Sequence, residues 1–289
     1  MLDASPITNH HSPFTIHVKM NILFIGGGNM AAAIIGGLVA KGWSPDLIHA
    51  VDVLAEARSR LQQQFGIRTS ADAAAAAAGA GCIVLAVKPQ QMREVAASLG
   101  PAVSSQLVIS IAAGIRCSDL ARWLGTAACI VRAMPNTPAL VSAGITGLYA
   151  MPGVSATQRK DAERILGAVG ATFWVDAELA LDAVTAVSGS GPAYVFYVIE
   201  ALEQAARELG LPPEIARQSA LATFAGAVKL ALADDTDPAT LRARVTSRGG
   251  TTEAAIGVLD AAAVQAIFVR AVRAAAARAA EMGDTLGKN

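Results

Sequence analysis

Histidine is scarce in this chain of 289 residues, and its scarcity excludes several kinds of site. Three of the four histidines, His10, His11 and His17, lie close to the N-terminus, which leaves only His49 for the rest of the sequence. No histidine cluster is therefore available for a metal ion or for a catalytic triad, and we expect no metal site.

Cysteine is equally scarce. Cys82, Cys117 and Cys129 form an odd-numbered set whose spacing matches no metal-binding knuckle. We interpret them as reduced, mostly buried thiols of a cytoplasmic protein.

Charged residues make up only 16% of the chain, and 23 basic residues balance 23 acidic ones. A phosphate-binding surface usually needs a basic surplus, so this balance argues against nucleic acid as a partner. A neutral chain also has little electrostatic repulsion against self-association. Because hydrophobic residues reach 53%, we expect much of the surface to be covered, either inside the fold or between subunits.

No segment has the length and apolar character of a signal peptide or a membrane span. Residues 1–19 are polar and predict a disordered tail, with Met20 as a candidate start just before the first strand. The alanine-rich stretch 71–87 is interrupted by Asp72 and two glycines, so it predicts a helix followed by a buried strand. We therefore expect no membrane partner.

Short apolar runs alternate with helical patterns from Met20 to about Val175. The apolar runs predict buried strands at 21–25, 47–51, near 67, and at 82–87, 107–111 and 130–134. Helices are predicted between them, among them 29–40, 54–65, 71–78, 90–99 and 117–124. Repeated alternation predicts an α/β domain whose parallel sheet carries helices on both faces. We place this domain at residues 20–177.

From residue 182 onward the sequence shows only helical patterns. The stretches 195–202 and 221–232 are apolar over most of the helix circumference, so each must be buried on several sides. A domain built from such helices cannot easily bury them alone. We therefore predict that residues 178–289 form an all-α dimerisation domain.

Residues 26–31, Gly-Gly-Gly-Asn-Met-Ala, follow the first strand directly and open a helix. They match the Gly-x-Gly-x-x-Ala form of the dinucleotide fingerprint. In that motif Gly26 permits the tight turn, Gly28 lets the backbone approach the pyrophosphate, and Ala31 keeps helix and sheet close. The amides that begin the helix are free to bind phosphate. The alternative is a glycine-rich turn that binds nothing. The cofactor contacts expected in this loop are Gly26, Gly28, Asn29 and Met30.

Asp52 ends the second strand, where an acidic side chain holds a ribose diol. A carboxylate there repels a 2′-phosphate, which favours NADH over NADPH. Equally, Asp52 suits a helix cap before Leu54, and Arg58 is within reach of a phosphate. The sequence leaves the choice between NADPH and NADH open.

Another cofactor segment is expected where the fourth strand ends, at the ligand-binding edge of such a sheet. This segment consists of Ala86, Val87, Lys88 and Pro89. Because proline cannot continue the ladder of the sheet, its neighbours are free to present backbone groups to the cofactor. We expect backbone contacts here, with the Lys88 side chain in solvent as the alternative.

Four strings together resemble the pyrroline-5-carboxylate reductase family. They are Phe-Ile-Gly-Gly-Gly-Asn-Met at 24–30, Arg-Ala-Met-Pro-Asn-Thr-Pro at 132–138, Val-Ser-Gly-Ser-Gly-Pro-Ala-Tyr at 187–194 and Val-Thr-Ser-Arg-Gly-Gly-Thr-Thr at 245–252. The first string is shared by many dehydrogenases, whereas the other three are specific. Their spacing agrees from Met20 to the C-terminal helices, so the resemblance covers nearly all the chain.

The resemblance implies reduction of 1-pyrroline-5-carboxylate to L-proline by hydride from NADPH or NADH, the last step of proline biosynthesis. It implies a Rossmann-type doubly wound sheet followed by a helical domain that interlocks with a neighbour's, in homodimers that assemble into decamers. It also implies a site between the nicotinamide and the 247–252 turn, with part of the pocket from the partner subunit. By this match Thr252 is catalytic and hydrogen-bonds the ring nitrogen. The carboxylate is held by Ser247, Gly250 and Thr251, with Gly249 and Thr252 also among the substrate-binding residues, and Ala113 and Asn136 lie near the cofactor.

The residues of the turn agree with that chemistry. A protonated cyclic imine already accepts hydride well, so the protein has mainly to hold it in place. Gly249 and Gly250 allow a tight fold, and Thr251 or Thr252 begins a helix whose first amides attract a carboxylate. The alternative is a glycine hinge with a threonine cap. One position departs from the family, because similar proteins usually carry proline where this chain has Arg248. The loss of proline loosens the turn. The guanidinium of Arg248 either aids the binding of a carboxylate or faces solvent.

Two rival functions stay open. A related hydroxy-acid dehydrogenase needs a base, commonly a lysine one helical turn beyond a Gly-x-Gly. Here the position four residues beyond Gly191 is Val195, and Ile199 follows one turn later; neither side chain transfers protons. The second rival is a nicotinamide-binding protein without activity, which the fold alone does not exclude. The intact Thr251-Thr252 pair favours catalysis, although another cyclic imine, such as a six-membered ring, remains an alternative substrate.

Overall fold

A computed structural model describes residues 20–125, 129–233 and 235–287. The predicted tail at 1–19 lies outside these residues. The chain divides into two compact units. One runs to Ser190 and takes in the chain from Ala275 onward, and we call it the sheet unit. The other, Gly191–Ala274, is the helical unit.

Eight strands form one sheet among the described residues of the sheet unit. They are β1 (Ile22–Ile25), β2 (Ile48–Val51), β3 (Arg68–Ser70), β4 (Cys82–Leu85), β5 (Leu107–Ser110), β6 (Cys129–Met134), β7 (Gly144–Ala150) and β8 (Gly170–Trp174). Their spatial order is β3-β2-β1-β4-β5-β6-β7-β8. Every neighbouring pair is parallel except β6 and β7, which are antiparallel.

Helices of the sheet unit lie between these strands and after the last of them. They are α1 (Asn29–Ala40), α2 (Ala55–Phe65), α3 (Ala73–Ala77), α4 (Met92–Leu99), α5 (Cys117–Leu124), α6 (Ala156–Leu166) and α7 (Ala180–Val184). Alternate residues of β1 enter two separate cores: Phe24 belongs to the same core as Ile34 of α1, and Leu23 to the same core as Leu120 of α5. Apolar residues on both faces of a strand are expected when helices cover both sides of a parallel sheet. The predicted fold class is confirmed.

The sequence analysis did not predict β7, β8 or the antiparallel pairing of β7 with β6. Glycines at both strands hid them, since Gly144, Gly147 and Gly170 interrupt the apolar alternation that marks a strand. A Cβ on Gly170 would lie 1.9 Å from the carbonyl oxygen of Gly144, so these glycines allow the two backbones to meet where the strands begin. Packing that requires glycine therefore removed the local signal for these strands.

The helical unit contains α8 (Gly191–Glu208), α9 (Pro213–Ala233), α10 (Pro238–Arg244), α11 (Thr251–Ala261) and the start of α12 (Val264–Leu286). The prediction that only helices follow residue 182 is confirmed for the residues that the structure describes. Only Ala216 and Ala220 are buried among the described residues of this unit, whereas Tyr197 is 73% exposed and Leu232 81%. Apolar helices without a core of their own are typical of a subunit interface.

Within the described ranges, no single helix combines the length and apolarity needed to cross a membrane. Taken together, α11 and α12 meet those two criteria as a pair that is bent by 51°.

The packing of α1 supplies a test of the fold. A Cβ on Gly37 would lie 2.7 Å from the backbone oxygen of Ala168, whereas a Cβ on Gly36 would lie 2.9 Å from Cε1 of the Phe65 ring. A backbone atom cannot move aside as a ring can, so we expect Gly37→Ala to lower the free energy of unfolding by about 1–3 kcal/mol. Gly36→Ala should leave the free energy of unfolding nearly unchanged. Alanine's higher helix propensity contributes about 1 kcal/mol, which offsets the cost of moving the Phe65 ring aside.

Thermal unfolding at one fixed protein concentration checks this pair. Equal effects of the two alanines would contradict the packing described for α1.

Candidate active site

The order of the strands changes direction between β1 and β4, and Gly26 lies at this switch point. In doubly wound sheets ligands bind beside such a point, at the carboxyl ends of the strands. Gly26 has a φ of +102°, and a Cβ there would lie 2.7 Å from the carbonyl oxygen of Ala86. A side chain would therefore clash with β4 and strain the backbone, so only glycine suits the turn that leads into α1.

The N-terminus of α1 presents open hydrogen-bond donors. Gly28 is the N-cap residue, no side chain caps the helix, and a Cβ on Gly28 would meet nothing within 4 Å. The first amides of a helix have no acceptor within it, so those at the start of α1, where Asn29 is exposed and Met30 half-buried, face accessible space. This arrangement fits the pyrophosphate of a dinucleotide.

Asp52 makes two hydrogen bonds to backbone amides. Its Oδ1 accepts from the N–H of Leu54 at 2.8 Å, as a turn before α2 requires. Its Oδ2 accepts from the N–H of Gly27 at 2.7 Å, which ties the glycine loop to the end of β2. Each carboxylate oxygen keeps a free lone pair, so a ribose contact stays compatible with this bracing role.

Two arginines of α2 donate to backbone carbonyls, one at the end of β2 and one in the glycine loop. Arg58 Nη1 donates to the carbonyl oxygens of Asp52 at 2.7 Å and Val53 at 3.0 Å. Arg60 Nη2 donates to the carbonyl oxygen of Gly27 at 2.7 Å. The sequence analysis missed Arg60, because nothing local distinguishes it from other helix-surface arginines. Each guanidinium has five N–H groups, so both retain donors for a phosphate.

The remaining predicted cofactor residues follow β4 and β5. Ala86 donates its N–H to the carbonyl oxygen of Ile25 at 2.8 Å, and Lys88 is exposed just before a 3-10 turn that starts at Pro89. Val87 and Ala113 are half-buried. All of these residues lie at the carboxyl edge of the parallel strands, together with Gly26, Gly28 and Asp52.

Asn136 follows β6 and is 7% exposed. Its Oδ1 accepts from the N–H of Ile145 at 2.9 Å, and its Nδ2 donates to the carbonyl oxygen of Ser188 at 3.1 Å. Both ends of the amide are therefore fixed by the protein, and the second Nδ2 hydrogen and the second Oδ1 lone pair are left for a ligand.

The 245–252 string forms a turn in the helical unit. Gly249 has a φ of +72°. Its N–H donates to Glu253 Oε2 at 2.6 Å. The N–H of Gly250 donates to the carbonyl oxygen of Ser247 at 3.0 Å. The amides of these two predicted substrate residues are thus already bonded within the protein. Donors available to an anion include the first amides of α11, which begins at Thr251 and has no side-chain cap, the hydroxyls of Ser247, Thr251 and Thr252, and the exposed Arg248 guanidinium.

The cysteines stand apart from this chemistry. Cys82 and Cys117 are buried free thiols, and Cys129 is a half-buried one. Burial raises the pKa of the Cys82 thiol well above its usual range, and burial together with the nearby Glu178 carboxylate does the same for Cys117. Neither thiol is a nucleophile at neutral pH. The described part of the chain groups no three His, Cys, Asp or Glu side chains in a way that would hold a metal ion.

Both parts of the chain resemble known protein families. Residues 178–282 match a family model described as pyrroline-5-carboxylate reductase dimerisation, and residues 21–114 match one described as NADP oxidoreductase coenzyme F420-dependent. A pyrroline-5-carboxylate reductase of Pseudomonas aeruginosa is 48% identical over 92% of this chain and 98% of its own length.

Two solved structures share the fold along most of their length. One is a pyrroline-5-carboxylate reductase from Coxiella burnetii, with a TM-score of 0.87 and 43% identity, covering 92% of this chain and 99% of that one. The other is a Plasmodium falciparum pyrroline carboxylate reductase with NADP bound, with a TM-score of 0.83 and 28% identity over 92% and 98% of the two chains.

The two hydrogen bonds of Asp52 generate a prediction that separates its two roles. Asp52→Ala should weaken NADH binding about tenfold or more, because the brace on Gly27 and the ribose contact predicted from the sequence would both be lost. NADPH binding should weaken less, since removing the carboxylate also removes its repulsion of the 2′-phosphate. Fluorescence titration with each cofactor measures the two affinities. If both fall by the same factor, the carboxylate only braces the loop.

Proposed function

The chain belongs to the pyrroline-5-carboxylate reductase family, and on that premise we propose that it reduces 1-pyrroline-5-carboxylate to L-proline. Membership agrees with the resemblance of the four sequence strings and with the 48% identity over 92% of the chain. The cofactor is a nicotinamide dinucleotide. The geometry that best supports the proposal is the uncapped start of α1 at the switch point of the sheet, which fits a dinucleotide pyrophosphate.

We assign the cofactor to residues 20–177 and the substrate and subunit contacts to residues 178–289. The cofactor residues of this proposal are Gly26, Gly28, Asn29, Met30, Asp52, Ala86, Val87, Lys88, Pro89, Ala113 and Asn136. The amides at the start of α1 bind the pyrophosphate, and Asp52 or the Arg58 and Arg60 guanidiniums meet the adenosine ribose. When bound, the dihydronicotinamide supplies the hydride.

The substrate residues of the proposal are Ser247, Gly249, Gly250, Thr251 and Thr252. The substrate carboxylate binds the first amides of α11 and the hydroxyls of Ser247 and Thr251, while the two glycines shape the turn. The Thr252 hydroxyl accepts a hydrogen bond from the protonated ring nitrogen. This contact holds the ring and keeps the proton on nitrogen while hydride reaches the adjacent carbon, so the protein needs no strong acid.

The helical unit supports an oligomeric enzyme. Its matched family model is one for dimerisation, and its large apolar side chains are widely exposed in the single chain. We propose a homodimer, assembled further into a decamer, with part of each substrate pocket supplied by the partner subunit. The free thiols support a cytoplasmic location, and the net charge of zero supports a small molecule rather than nucleic acid as ligand.

A turnover assay tests the reaction directly. We expect racemic 1-pyrroline-5-carboxylate to oxidise NADPH or NADH, followed by cofactor absorbance with each cofactor in turn. A six-membered cyclic imine and a hydroxy acid with oxidised cofactor serve as comparisons. Turnover of the hydroxy acid without turnover of the imine would overturn the proposal, as would tight cofactor binding with no turnover at all.

Thr252 is the residue to change first. Thr252→Ala should lower kcat about 100-fold, because the hydrogen bond to the reacting nitrogen is lost. Cofactor affinity should stay within about twofold of the unsubstituted enzyme, since the hydroxyl is assigned to the substrate alone. Thr252→Ser keeps the hydroxyl and should retain most of the rate. A loss of cofactor affinity in the alanine variant, or a serine variant as slow as alanine, would show that the role assigned to Thr252 is wrong.

A further inference from the structure

A buried arginine lies in β6, on the strand that leads to Asn136. Arg132 is 3% exposed, and its guanidinium pairs with two carboxylates: Nη1 lies 3.1 Å from Glu178 Oε1, and Nη2 lies 3.7 Å from Asp182 Oδ1. A charge this deeply buried requires partners, because an unpaired charge in the interior is strongly destabilising. Arg132 therefore couples β6 tightly to the segment that carries the two acids.

One of the two acids also reaches another part of the sheet unit. Glu178 Oε1 accepts from the N–H of Cys117, the first residue of α5, at 2.7 Å. Asp182 belongs to α7 and is 7% exposed. The Arg132 guanidinium and its partners thus join β6, α5 and α7 around one buried group.

A second contact holds the same segment further along. After α7 the chain makes a π-helical turn, Thr185–Gly189, of the kind often found at functional sites. The carbonyl oxygen of Ser188 in this turn accepts from Asn136 Nδ2 at 3.1 Å. A Cβ on Gly189 would lie 2.7 Å from Met134 Cε, so the turn packs closely on the end of β6.

Arg132, Met134 and Asn136 are spaced by two residues, and side chains with that spacing share one face of an extended chain. All three contact the segment 178–189: Arg132 at its start, Met134 and Asn136 at its end. We propose that Arg132 is a positioning residue, whose guanidinium holds α7 and the π-helical turn in the register that fixes the Asn136 amide at the cofactor edge. This inference rests on the proposed function, in which Asn136 lies near the nicotinamide.

The ion pairs of Arg132 are better explained by a role in orienting Glu178 and Asp182 than by a contribution to the stability of the fold. Replacing a buried ion pair with apolar side chains is often neutral or stabilising, so such a pair is weak evidence for stability as such. A planar guanidinium with several donors, by contrast, sets the direction of each carboxylate that it binds. Lysine keeps the charge but not the fork, so it should restore only part of the register.

Hydrogen exchange of the cofactor-free protein tests the positioning. In Arg132→Met we expect the amides of 178–190 to exchange at least about tenfold faster, as expected when a locally held segment opens more often. The matched control is Arg164→Met, which breaks the Arg164–Asp161 pair of 2.7 Å on α6 with Arg164 38% exposed. The control should leave exchange in 178–190 unchanged. Asp182→Asn removes one carboxylate charge and serves as a second variant should Arg132→Met not fold.

Kinetics test the consequence for the reaction. Only variants with the same size-exclusion elution volume as the unsubstituted protein are compared, so that folding and assembly are unchanged. We expect kcat to fall about 100-fold in Arg132→Met, because a small misplacement of reacting groups lowers the rate by that order. Arg132→Lys should retain part of the rate that Arg132→Met loses. The control Arg164→Met should turn over as fast as the unsubstituted protein. The isotope effect on kcat with cofactor doubly deuterated at C4 should rise in Arg132→Met, since hydride transfer becomes slower relative to product release.

The outcomes separate the two proposals. Normal exchange in 178–190 together with a normal kcat and isotope effect in Arg132→Met and Asp182→Asn would overturn the positioning role while leaving the reductase function intact. A lower melting temperature with an unchanged kcat would also overturn it, since that result describes a structural residue. A third outcome is that the unsubstituted protein does not reduce the imine, while Arg132→Met still speeds hydrogen exchange in 178–190. That outcome would overturn the proposed function and the catalytic part of this inference.

Discussion

A close backbone contact at the carboxyl ends of β1 and β4 is the constraint on which the rest of the cofactor edge depends. At Gly26 the chain passes so near Ala86 that a Cβ would lie 2.7 Å from its carbonyl oxygen. The contact falls where the strand order reverses, and it turns the chain into α1 with its first amides exposed. The Asp52 carboxylate then holds the same loop from the other side, through the N–H of Gly27. The open donors toward a dinucleotide follow from these contacts.

A second constraint acts on the helical unit, which has almost no core of its own. Among its described residues only two alanines are buried, and this part of the chain falls within the dimerisation model that matches residues 178–282. Apolar helices of this kind need a partner to cover them. Because the 245–252 turn belongs to this unit, the substrate half of the proposed site is carried by the part of the chain that depends most on assembly.

Local patterns predicted much of the fold, and long-range contacts explain the rest. The helices at 29–40 and 117–124 were predicted with the bounds that the structure gives, because apolar periodicity and flanking glycines are local signals. The strands β7 and β8 were missed because their glycines serve a contact between the two strands. Nothing near Arg132 in the sequence identifies Glu178, 46 residues away, as its partner. Nor does the sequence of the 245–252 turn reveal that both glycine amides are already bonded, one to Glu253 of α11 and the other to Ser247.

The central proposal is that a cyclic imine, held by its carboxylate at the start of α11, receives hydride from the nicotinamide. A crystal structure of the assembled protein with oxidised cofactor and L-proline tests it most directly. We expect the proline carboxylate on the first amides of α11, and the ring carbon that accepted hydride within about 4 Å of nicotinamide C4. A structure in which the 247–252 turn lies far from the nicotinamide in every subunit, with proline bound elsewhere, would contradict the account.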